Sequence, residues 1–166
     1  MGVSAQCLQW PRRLGMLLGL LVGLLMGVLL LAPGPAQALK AQHWALQDQA
    51  GHSWSLTLLE QVDPAYPAGL RLRLTDRSGT QQLDHNRPLG IRDGQGGVWE
   101  LGNCSDELVP SGEEVLPGRS AQFNLKGLEP RPRAEFPLAL EVPLAAGDSA
   151  RLVAGAAAVA ALHDAG

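Results

Sequence analysis

Apolar residues in the middle of the chain fall on alternate positions. Trp44 and Leu46, then Trp54, Leu56 and Leu58, then Leu70, Leu72 and Leu74 are each separated by one polar or small residue. A period of two puts these side chains on one face of a strand and their neighbours, including Arg71 and Arg73, on the other. A helix would scatter them around its circumference. Three D-x-x-G segments, Asp48-Gln-Ala-Gly51, Asp76-Arg-Ser-Gly79 and Asp93-Gly-Gln-Gly96, punctuate the alternating runs. Asp at the first turn position binds nearby backbone N–H groups and Gly at the fourth accepts positive φ, so each is read as a hairpin connection. Further strands are expected near 81–85, 89–92, 98–101, 122–125 and 136–142. Closely spaced strands with no helices between them predict a mainly β fold, an antiparallel β-sandwich or small barrel.

Two regions break the alternation. The stretch 105–120 carries Asp106, Glu107, Glu113 and Glu114 among Pro110, Gly112, Pro117 and Gly118, a composition that predicts a long solvated loop. Residues 154–164 are rich in alanine, which favours a short C-terminal helix laid on the sheet through Val159 and Leu162. Glu129-Pro-Arg-Pro-Arg133 reads as a kinked connection, leaving 39–166 as a single domain.

The first 38 residues follow another logic. Arg12 and Arg13 precede an uncharged run from Leu14 to Ala32, which ends at Pro33-Gly34-Pro35 and the triplet Ala36-Gln37-Ala38. A basic start, an apolar middle and a small-x-small triplet make up an export signal, with cleavage expected after Ala38. The run is long enough, at ~1.5 Å per residue, to span a bilayer, and Gly15, Gly19, Gly23 and Gly27 have the spacing of packed membrane helices. An uncleaved anchor is therefore the alternative.

Composition then narrows the chemistry. The chain has 13 basic and 16 acidic residues, which argues against a polyanion-binding protein, and no nucleic-acid partner is expected. Cleavage would remove Arg12 and Arg13, leaving eleven basic against sixteen acidic residues. It would also leave one cysteine, Cys104, so no internal disulfide is possible. A lone cysteine of this kind is read as a small buried residue before a reactive thiol.

No motif names a reaction. His43, His52, His85 and His163 are dispersed, although His43 and His52 flank the first turn and could approach across it. There is no G-x-S-x-G, and Ser53 beside His52 would point to the opposite face of a strand. Neither the segment Asp93–Glu100 nor the acidic loop has the D-x-[DN]-x-[DN]-G spacing of an EF-hand, and the glycines at 94, 96 and 97 lack a following Lys-Ser/Thr. No cofactor or resident metal is expected. Arginine outnumbers lysine nine to two after the leader, and Arg71, Arg73 and Arg77 are expected to project as a basic stripe able to meet an acidic partner or lipid headgroups.

As a set, Leu46-Gln-Asp-x-x-Gly51-His-Ser-Trp54, Leu70-Arg-Leu-Arg-Leu-Thr75, Arg87-Pro-Leu89-Gly-Ile91, Gln122-Phe-Asn-Leu-Lys126 and Phe136-Pro-Leu-Ala-Leu-Glu-Val-Pro-Leu144 resemble domain-of-unknown-function family 3122, short exported cyanobacterial proteins. The chain departs from that pattern at Gln47, in the polar turn Thr75–Gly79 and in its alanine-rich tail. The resemblance implies a location in the periplasm or thylakoid lumen and supplies no catalytic residues. Together these readings lead to an exported, non-catalytic β domain that binds a protein partner or a membrane-associated assembly. The expected surfaces are Arg71, Arg73 and Arg77 and the acidic loop with Asp106, Glu107, Glu113 and Glu114; the membrane is met only through an uncleaved N-terminal segment. The alternative is a small hydrolase or metal-dependent enzyme using His43, His52 or Cys104.

Overall fold

A computed structural model describes residues 40–165. The segment expected to be an export signal, with Ala36 and Ala38, lies outside them. Eight strands build two four-stranded antiparallel sheets. The first contains β1 (Gln42–Gln47), β2 (Ser53–Gln61), β3 (Gly69–Asp76) and β6 (Ser120–Asn124), in the order β1-β2-β3-β6. The second contains β4 (Leu89–Asp93), β5 (Val98–Leu101), β7 (Leu138–Pro143) and β8 (Ser149–Ala154), in the order β5-β4-β7-β8. Isolated bridges, Asp48 to Leu152 and Asn103 to Phe123, tie the sheets together without closing a barrel. Of the two expected architectures, the chain takes the sandwich. Among the described residues, no helix is long and apolar enough to cross a membrane.

The alternation read from the sequence sets the core. Register pairs Leu56 with Leu74 and Leu58 with Leu72, and all four leucines are fully buried. From the second sheet Leu89, Ile91, Leu101, Leu138, Leu140 and Leu152 join the same cluster, with Trp54, Trp99 and Phe123 as its aromatic members. Each buried leucine contributes roughly 1.5–3 kcal/mol by removal from water. Trp44 and Leu46 on edge strand β1 are only half-buried, since an edge has neighbours on one side. The terminal helix α1 (Ala156–Asp164) buries Ala158, Val159 and Leu162, the expected anchors among them.

The turns divide. Asp48 and Asp93 each accept two backbone N–H bonds, and Gly51 and Gly96 take positive φ, so these segments join β1 to β2 and β4 to β5 as hairpins. Asp76-Arg-Ser-Gly79 has the same local chemistry but is not a hairpin. The chain leaves the first sheet there, and β3 takes β6 as its other neighbour. The expected strand at 81–85 reduces to one bridge between Leu83 and Leu144. Strand β8 escaped the sequence reading because two of its three buried positions, Ala150 and Ala154, are alanine.

Candidate functional site

The outward face of the first sheet carries the residues expected to project, and here the structure corrects the expectation. Arg71, opposite Leu59 and Asn124 in the register, does lie on the outward phase of β3, yet it is 1% exposed. A one-turn 3₁₀ helix, Ser105–Leu108, lies over it and brings down Glu107. Arg71 Nε donates to Glu107 Oε2 at 2.7 Å and Nη2 donates to Oε1 at 2.8 Å, a two-pronged pair. Nη2 also donates to the Pro67 carbonyl at 2.6 Å and Nη1 to that of Leu70 at 3.2 Å. Gly69, at φ +140°, makes room: a Cβ there would stand 3.2 Å from Nη1.

Glu107, whose side chain is 4% exposed, also accepts from Gln61 Nε2 and Gln122 Nε2, both at 2.8 Å. One row along, Arg73 Nε and Nη2 donate to Gln122 Oε1 at 3.0 and 2.8 Å, so Arg73 is half-buried and turned along the sheet. The backbone is stitched down as well. Cys104 N donates to Gln122 O, Gln122 N donates to Ser105 Oγ, and the Tyr66 hydroxyl donates to the carbonyls of Asp106 and Val109. Among the described residues, no buried side-chain nitrogen or oxygen lacks a partner. This is the condition under which a buried ion pair is tolerated: its desolvation is offset by good geometry and further hydrogen bonds. Burial alone would raise the Glu107 pKa; the hydrogen bonds from Arg71, Gln61 and Gln122 outweigh it and hold the carboxyl below its ordinary range. The same contact holds the Arg71 guanidinium more firmly protonated, while burial pushes Arg73 the other way.

The remaining candidates are not brought together. Burial, aided by the negative charge of Glu107, pushes the Cys104 thiol up to about 12, so it is not a thiolate at neutral pH. His43 Nδ1 pairs with Thr57 Oγ1 at 2.9 Å, its neighbour across β1 and β2. His52 Nδ1 pairs with Asp48 Oδ2 at 2.8 Å at the turn, so the register keeps the two histidines apart. The other ring nitrogen of His52 lies 3.4 Å from Gln81 Nε2, an amide nitrogen and not a hydroxyl or thiol. Burial opposes charge on Asp48, but hydrogen bonds from His52 and Trp54 Nε1 outweigh it and keep its pKa lowered. Among the described residues, no group of three or more His, Cys, Asp or Glu is placed to hold a metal ion.

What stays at the surface is part of the expected set. Arg77, Asp106, Glu113 and Glu114 are exposed, and between the two glutamates and Pro117 sits Val115, 84% exposed. The loop therefore has a base fastened by Arg71 and a tip, Ser111-Gly-Glu-Glu-Val115, directed into solvent. The sequence reading missed Gln61 and Gln122 as members of the network. Both occupy the outward phase of their strands, which was legible, but their shared partner is Glu107 and that was not.

The family described as "Protein of unknown function (DUF3122)" matches residues 31–161, and the chain belongs to it. No curated protein and no solved structure matches.

Proposed function

We propose that this member of the family is an exported, non-catalytic β-sandwich domain that binds a protein partner through the loop tip at residues 111–115. The observation that carries this reading is the Arg71–Glu107 clamp. It fixes the first turn of the loop against a rigid sheet, so the exposed Glu113, Glu114 and Val115 are presented from a stationary base. Preorganisation of this kind lowers the ordering cost of association. An apolar side chain flanked by two carboxylates fits a partner with a shallow apolar pocket rimmed by basic residues. The elevated thiol of Cys104 and the separation of His43 from His52 weigh against the enzyme reading. The pattern at residues 12–38 supports export, hence the periplasm or the thylakoid lumen.

Site-specific photocrosslinking in the native cell tests the loop. A photoreactive residue at Val115 is expected to give a discrete crosslinked product that disappears in Glu113→Lys/Glu114→Lys. The same probe at Val98, also exposed but on the second sheet, is expected to give none. Equal products from both positions, or a Val115 product indifferent to charge reversal, would overturn the reading.

A further inference from the structure

Where β3 and β6 end together, a second charged feature lies apart from the loop tip. A surface crevice of about 570 Å³ is lined by Thr75, Asp76, Arg77, Gln82, Arg119 and Ser120, with Pro117 and Gly118 at its rim. Its two arginines are exposed. Neither guanidinium has an ion pair or hydrogen bond within the described residues. That sets them apart from Arg71 and Arg73, which donate to Glu107, Gln122 and backbone carbonyls.

Their backbones are fixed from both sides. Asp76 N donates to the Arg119 carbonyl at 2.9 Å, extending the ladder one row past Thr75 and Ser120. Arg77 N donates to the Ser53 carbonyl at 2.8 Å, and Leu83 N to that of Gly118 at 2.7 Å. The Arg119 guanidinium lies against the Asp76–Gly79 turn: a Cβ on Gly79 would stand 3.1 Å from its Nη1. The two hydroxyls, Thr75 Oγ1 and Ser120 Oγ, are hydrogen-bonded to each other at 2.9 Å on the outward face, which leaves one hydroxyl proton free to donate elsewhere. Asp76 contributes a negative charge, but its oxygens already accept from Ser78 N, Ser78 Oγ and Gln81 N. The crevice is therefore lined by two cations without partners among the described residues and one carboxylate that is buried and satisfied.

We infer that this crevice binds a phosphate group, held by the Arg77 and Arg119 guanidiniums, with the hydrogen-bonded Thr75–Ser120 hydroxyl pair supplying one further donor. Planar guanidiniums match the oxygens of phosphate, and the free hydroxyl proton adds a neutral donor at little cost. The net charge of +1 from these three groups favours a compact anion. Free inorganic phosphate and the headgroup of a phospholipid share this chemistry. The site stands independently of the loop reading, since its test needs no protein partner.

The test is a titration of the full chain in neutral detergent micelles, followed by NMR of arginine side-chain N–H groups and backbone amides. Inorganic phosphate is added at constant ionic strength against chloride. Saturable shifts are expected at Arg77, Arg119, Thr75 and Ser120, with Arg92 unmoved. Arg77→Gln and Arg119→Gln are each expected to weaken binding about tenfold, the loss of one charge-assisted contact. Both side chains are exposed, so the melting temperature should be unchanged, which separates lost binding from lost folding. In a second arm the micelles carry phosphatidic acid. Saturation by the lipid at far lower concentration than by free phosphate assigns the headgroup as source; the reverse order assigns the free anion. Shifts that never saturate, that reach Arg92 equally, or that survive Arg77→Gln/Arg119→Gln would overturn the site.

Discussion

The two sheets present their outward faces by the same rule and meet opposite fates. On the first, Arg71 occupies the polar phase of an alternating strand and is 1% exposed, gripped by Glu107. On the second, Arg92 occupies the equivalent phase of β4, is 59% exposed and lies 3.8 Å from Glu141 on the neighbouring strand. Alternation decides which face a side chain leaves by, and both strands follow it. Whether that face is open depends on a segment 36 residues away in sequence for Arg71, with no counterpart over Arg92 among the described residues. An outward arginine is thus a surface residue only until the rest of the chain has been placed.

Mutation should separate the two pairs widely. Glu107→Ala leaves Arg71 charged, buried and unpaired, and is expected to cost about 3–5 kcal/mol in urea unfolding. Glu141→Ala, facing Arg92 in solvent, is expected to cost at most about 1 kcal/mol. Similar costs for the two would erase the contrast. Replacing both buried partners, Arg71→Met with Glu107→Leu, is expected to recover most of the loss, because no lone charge remains. Differential scanning calorimetry of single and double variants checks this.

Acid gives a gentler version of the same break. The Glu107 carboxyl sits below its ordinary value of 4.5 when folded, so between the two values the unfolded chain binds more protons. Its stabilising contribution is therefore complete above about pH 4.5 and is lost as pH falls through the lowered folded value. Asp48 and Asp76, both lowered from 3.8, act in the same sense slightly further down. Glu107→Gln should flatten the upper part of this acid limb in pH-dependent denaturation. It should also remove a negative charge beside Cys104, so the thiol, held up to about 12 in the intact protein, falls and reacts faster with a disulfide reagent at pH 8. An unchanged rate would mean that burial alone protects the thiol.

These contrasts show how far the sequence could be read. The leucine phase at 70–74, the hairpin chemistry of Asp48 and Asp93 and the apolar stripe of α1 rest on neighbours within a few residues, and each was legible. The turn at Asp76 shares that chemistry, yet it makes no hairpin because β3 pairs with β6, 45 residues on in the register of Thr75 with Ser120. Arg71 and Glu107 were both singled out as partner surface, with opposite signs, when each is the other's partner. Local pattern identified the charges; only the long-range pairing reveals that they are spent on each other. The family match covers residues 31–161 and carries no residue roles.

A double-mutant cycle on Arg71 and Glu107, read by equilibrium unfolding with the Arg92 and Glu141 cycle alongside, tests the clamp most directly. A coupling of about 2–3 kcal/mol for the covered pair, against a few tenths for the open one, is the result the account predicts. A coupling below about 0.5 kcal/mol for Arg71 and Glu107 would contradict it.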